Sequence, residues 1–86
     1  MEFGKNQIVK LRNGLVGVVT SFNGKPSHLI FKAYTNPITQ YNDNLEKKNH
    51  DYDVVEIYDG TKLDVITDVW KRGALDNFEM IWKRED

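Results

Sequence analysis

The sequence predicts a mainly β domain: five strands in a small, partly open barrel, with one or two short helical segments. Three observations predict it. Two Asn-Gly pairs, Asn13-Gly14 and Asn23-Gly24, sit between apolar runs. Asn-Gly is the strongest short-range hairpin signal, because a type I′ turn needs φ > 0 at both central residues. The runs around these pairs are rich in Val, Ile, Leu and aromatics, the composition of strands. Finally, 86 residues leave room for one domain only, and Gly-rich early turns followed by short helical pieces suit a small barrel.

The elements follow in chain order. Gln7 to Arg12, Leu15 to Phe22 and His28 to Tyr34 read as three strands of an antiparallel meander. Pro26 belongs to the second turn or the very start of the third strand, where its missing N–H does least harm. Thr35-Asn36-Pro37 is turn chemistry, and residues 38–51 are polar apart from Ile38, Tyr41 and Leu45. Tyr41 and Leu45 are four apart, so one helical turn lays both on the core. Asp53 to Tyr58 returns to strand composition. Thr61 to Arg72 reads two ways: Leu63, Ile66 and Trp70 have helical spacing, with Thr61 as N-cap and Gly73 as stop, while Val65, Ile66, Thr67 and Val69 are β-branched. A short helix is the preferred reading. Asn77 to Arg84 is a final strand, with Phe78, Met80 and Trp82 on one face.

Composition narrows the function classes. An apolar content of 40% with 12% aromatics excludes a disordered chain. Twelve basic against thirteen acidic residues, net −1, exclude a strongly cationic nucleic-acid coat. The charge is uneven: residues 1–33 carry a net +4 and residues 34–86 a net −5. With no cysteine there is no disulfide framework, thiol nucleophile or cysteine-ligated metal. No apolar run approaches the roughly 18 residues of a membrane span, so no membrane association is expected. The N-terminus has no signal-peptide pattern, which points to an intracellular protein. A chain this small buries only about 60–65% of its unfolded surface, so its two Trp, four Tyr and four Phe must supply much of the core. A monomer or small homo-oligomer is expected.

Candidate chemistry is sparse. His28 and His50 are the only histidines, Ser21 and Ser27 the only serines, and none stands in a nucleophile pattern, so no catalytic residue and no cofactor are assigned. Asp43, Glu46, His50, Asp51 and Asp53 form an acidic cluster without EF-hand spacing; it reads as a solvated loop, and no metal is expected. Partner anchors are better represented. Trp70 precedes Lys71-Arg72, and Trp and Arg are favoured interface residues. Tyr34, Tyr41 and Tyr52 are further amphipathic candidates around the polar loop. The predicted partner-binding set is Tyr41, Tyr52, Trp70, Lys71 and Arg72, with acidic side chains steering a basic protein partner. An alternative set comes from Ile8 to Val19, whose strand, Asn-Gly turn and second strand resemble the KOW-type signature of small nucleic-acid-binding barrels. There Lys10, Arg12 and Lys25 supply phosphate contacts.

Four stretches carry a wider resemblance: Val9-Lys10-Leu11-Arg12-Asn13-Gly14, Tyr41-Asn42-Asp43-Asn44-Leu45, Asp51 through Tyr58, and Ile81-Trp82-Lys83-Arg84-Glu85. As a set they resemble a group of small phage and prophage proteins of Gram-positive bacteria, with 61–77 least matched. The resemblance implies an SH3-like barrel in a bacterial host cytoplasm and transfers no catalytic residue. The expected function is non-enzymatic: an adaptor or inhibitor that engages a host or phage protein, including one of host defence. A nucleic-acid-binding barrel and a structural component of a larger assembly are the alternatives.

Overall fold

The computed structural model describes residues 3–4, 6–61, 69–70 and 74–85. Six strands form one antiparallel sheet: β1 (Gln7–Leu11), β2 (Val16–Phe22), β3 (Lys25–Phe31), β4 (Thr35–Pro37), β5 (Val54–Asp59) and β6 (Met80–Lys83). The order across the sheet is β4-β3-β2-β1-β5-β6. Among the described residues no ladder joins β4 to β6, so the sheet is open.

The two Asn-Gly pairs make different turns. Asn23 (φ 52°) and Gly24 (φ 78°) both take positive φ between the paired residues Phe22 and Lys25, the expected two-residue hairpin. At the first pair only Gly14 (φ 91°) is left-handed. There the Gly14 amide donates to the Leu11 carbonyl and the Leu11 amide to the Leu15 carbonyl, which closes a three-residue loop, 12–14. Such loops end on a left-handed residue, and glycine takes that position without a Cβ penalty.

The strand expectations need three corrections. β3 begins at Lys25 and ends at Phe31, because the tight second turn returns the chain at once. Pro26 is therefore its second residue, beside a bulge at Ser27. Thr35–Pro37 is a sixth strand and not only a turn: the reversal is already complete at Phe31–Tyr34, where the Phe31 amide donates to the Tyr34 carbonyl. As an edge strand β4 tolerates Pro37, which has no N–H to offer. Finally, Met80 and Trp82 do not share a face. Tyr58 pairs with Met80 and Ile57 with Trp82, which leaves Ile81 as an extra residue on β6. The bulge reverses the alternation, so Trp82 packs on one core cluster and Phe78 on the other.

A third bulge, at Val55, puts Val54 opposite Leu11 and Ile57 opposite Val9. Both β5 residues therefore enter the larger core cluster, with Val9, Leu11, Val19, Leu29, Phe31, Tyr41 and Leu45. The opposite face of β1 carries Ile8, packed with Tyr58 and Val69 and flanked by Val16, Val18, Leu75 and Phe78. The central strand is thus covered on both faces, which explains why Ile8 and Val9, adjacent in sequence, are both fully buried.

Tyr41 and Leu45 are both buried, as their spacing predicts, but no helix carries them. Residues Ile38–Gln40 and His50–Tyr52 form single 3₁₀ turns, and Leu45 has φ 61°. Ala74–Asn77 is a third 3₁₀ turn where the last strand was expected to begin. Most of the ambiguous 61–72 segment lies outside the described residues. Among the described residues no helix is long and apolar enough to cross a membrane.

Candidate functional site

Among the described residues a polar hub forms at Asp53 and an apolar groove lies between the β1–β2 and β3–β4 turns.

The hub forms where β5 begins. Asp53 is 1% exposed, and both its oxygens are engaged. The Lys47 amide donates to Oδ1 at 3.0 Å; the His50 Nδ1 lies 3.0 Å and an Arg12 guanidinium nitrogen 3.5 Å from Oδ2. Burial alone pushes the Asp53 carboxyl up, but these donors outweigh it and hold it below its ordinary value. Backbone bonds reinforce the joint: the Arg12 amide donates to the Asp53 carbonyl, and the Asn13 amide to the Asp51 carbonyl. Asn49 prepares the site by capping the 50–52 turn, its side chain accepting from the Asp51 amide. Glu46, His50 and Asp53 offer ligand atoms within 4.8 Å of one another. Asp53, however, already serves three donors, and the fixed Arg12 cation beside it opposes a second one. The arrangement is a tether between the loop and the first hairpin. The expected solvated acidic loop is therefore corrected at Asp53, the member that is buried.

The tyrosines of this region face inward. Tyr41 donates its hydroxyl to the Tyr52 carbonyl at 2.9 Å, and Phe3 meets its ring edge-on at 5.4 Å. The Lys47 ammonium lies 5.8 Å from the Tyr41 ring and 5.2 Å from that of Tyr52. Burial chiefly, with Tyr34 and Asp53 nearby, raises the Tyr41 phenol well above its ordinary range.

The groove is different in kind. Gly14, Leu15, Val16, Phe31, Lys32, Ala33, Tyr34 and Trp70 enclose about 310 Å³. Leu15, Tyr34 and Trp70 are 41%, 37% and 38% exposed, whereas Phe31 is buried beneath them. Local sequence explains the shape. Gly17 pairs with Phe31 across β2 and β3, and a Cβ on Gly17 would lie 2.7 Å from the Phe31 ring. A glycine there leaves the Phe31 ring the space it occupies as the floor of the groove. Tyr34 stacks on that floor at 4.9 Å and 21°. The Leu15 lip is held by its amide donating to Asn13 Oδ1. Trp70 follows Val69, which is buried on the Ile8 face, so a core contact carries it to the groove.

The predicted residues therefore separate. Trp70 lies at the groove. Tyr41 and Tyr52 lie at the loop, one buried and one half-buried. Lys71 and Arg72 lie outside the described residues. Of the basic set, Lys10 pairs with Glu56 at 3.9 Å and Arg12 with Asp53, while Lys25 is exposed at the second turn. Glu56 also accepts from the Tyr58 hydroxyl, whose pKa is pushed up to about 12 by burial and then by Glu56. Leu15 and Phe31 were legible only as strand residues. The signal that singles them out is a small residue paired to an aromatic, Gly17 to Phe31, and it needs the register to be seen. Comparison with protein-family models, curated proteins and solved structures finds no match for this chain.

Proposed function

We propose that this protein is a non-enzymatic binding module that engages a protein partner through the groove formed by Leu15, Val16, Phe31, Tyr34 and Trp70. The observation that carries this reading is the exposure of three large apolar side chains around one buried aromatic floor. Exposed single hydrophobics need no explanation, but a concave group of them with aromatic walls is the surface that peptide and protein anchors fill. The loop tyrosines act on this reading as supports and not as anchors. The bulged, two-faced sheet supports the partly open SH3-like barrel, and the phage resemblance supplies the setting: an adaptor or inhibitor acting on a host or phage protein in a bacterial cytoplasm. The nucleic-acid alternative draws less support, because Lys10 and Arg12 are engaged by carboxylates.

The test is affinity capture from a Gram-positive bacterial lysate, run with and without nuclease, with the wild-type chain and with Leu15→Asp, both checked for native circular dichroism. A stoichiometric protein held by the wild type and lost by Leu15→Asp is the expected result. A protein held equally by both places the binding surface elsewhere, and bands that vanish with nuclease treatment favour the basic set.

A further inference from the structure

We infer that the groove takes a segment in which a large apolar side chain is flanked by carboxylates. This deepens the groove reading and rests on it. The lining is apolar except for Lys32, its one charged residue among those described. The strands that build the groove carry an unusual charge pattern: residues 3–42 contain Lys5, Lys10, Arg12, Lys25 and Lys32 and no Asp or Glu at all. Two of these cations are matched by carboxylates from across the sheet, Lys10 by Glu56 and Arg12 by Asp53. Among the described residues no carboxylate pairs with Lys32, so its charge stays available at the rim. A partner carboxylate beside its apolar anchor meets complementary charge here, and a partner lysine meets repulsion.

The shape argues for a protein segment over a nucleic acid. Leu15, Val16 and Ala33 give the groove aliphatic walls over the Phe31 floor, suited to a three-dimensional side chain, where a strand of bases needs an open stacking platform and several phosphate contacts. At about 310 Å³ the groove is at the small end of ligand sites, which run from about 300 to 1,000 Å³, so one anchor residue dominates. The steering direction also reverses relative to the sequence expectation of a basic partner. In the 42–53 loop Asp53 is buried and paired with Arg12, which leaves Asp43, Glu46 and Asp51 against Lys47 and Lys48.

The experiment is selection from a random-sequence peptide display library on the immobilised full chain, run in parallel on Leu15→Asp and Lys32→Glu. Lys32 is exposed and outside the core, so Lys32→Glu keeps the fold, which circular dichroism verifies. The expected result is enrichment, relative to Leu15→Asp, of peptides with Asp or Glu next to Leu, Phe or Trp. On Lys32→Glu these peptides bind about three- to tenfold more weakly, and raised salt narrows that gap. Enriched peptides that are neutral or basic, or that ignore Lys32→Glu, overturn the acidic partner and leave the groove reading intact. Failure of any peptide to enrich over Leu15→Asp overturns both. Labelled oligouridylate, assayed on the same three chains, overturns the inference in favour of nucleic acid if it binds the wild type and is lost on Leu15→Asp.

Discussion

Tyr41 and Tyr52, beside the polar loop, and Tyr34 and Trp70, beside the apolar groove, look alike in sequence and differ in the folded chain. Tyr41 spends its hydroxyl on the Tyr52 carbonyl and its ring on Phe3 and the core. Tyr34 spends one face on Phe31 and leaves more than a third of its surface in solvent. The difference teaches that an amphipathic ring stays at the surface only where the core has not already claimed it. In a domain this small, most rings are claimed by the core first.

The largest effect expected from this comparison is at Tyr41. Tyr41→Ala removes a buried ring and should cost about 3–5 kcal/mol in urea unfolding, while Tyr34→Ala should cost about 1 kcal/mol or less. Equal losses would break the distinction between a core ring and a surface ring. Next comes the hub. Asp53→Asn should destabilise by about 2–4 kcal/mol at neutral pH, since Arg12 and the Lys47 amide lose a buried charged acceptor. The sign of the pH dependence follows from the depressed carboxyl. The wild type holds this stabilisation above the ordinary carboxylate value of 3.8 and loses it as pH falls below that, so its melting temperature drops in acid while Asp53→Asn follows a flatter profile. A parallel decline in both proteins would show that other carboxylates govern acid unfolding.

Smaller effects sharpen the picture at the turns and the surface. A Cβ on Gly14 meets nothing within 4 Å, so Gly14→Val tests backbone conformation alone. It should cost about 1–3 kcal/mol, with Gly14→Ala at the low end. A neutral Gly14→Val in thermal melts would mean that the loop relaxes out of its left-handed residue. Lys10→Met removes a partly exposed ion pair and should change stability by less than about 0.5 kcal/mol. A larger loss would reveal Lys10 as part of a coupled network with Glu56 and Tyr58.

Much of the sheet was legible in the sequence. Strands β1, β2 and β5 announce themselves through β-branched runs, and the second Asn-Gly pair names its own turn. What was not legible is whatever depends on pairing. The bulges at Ser27, Val55 and Ile81 exist only relative to a partner strand, so Met80 and Trp82 read as one face although a bulge separates them. β4 was hidden because Asn36-Pro37 carries turn residues, which an edge strand accepts. The burial of Tyr41 and Leu45 was readable from their apolar character, yet a non-helical path delivers them. Of the site, Trp70 stood out by type. Asp53 did not: one carboxylate in an acidic stretch looks solvated until Arg12, remote in sequence, is brought to it.

The loop of residues 12–14 has one further consequence, an evolutionary one. It carries Arg12 into the hub on one side and the Leu15 lip of the groove on the other. Substitutions that alter the tether therefore reach the groove through three residues of backbone. In diverging copies of this chain, positions 12 and 53 are expected to change together or not at all. On the groove reading proposed above, positions 15, 32, 34 and 70 drift with whatever each copy binds. A family diversifying against changing partners would thus show a paired, slow-moving joint beside a fast-moving rim.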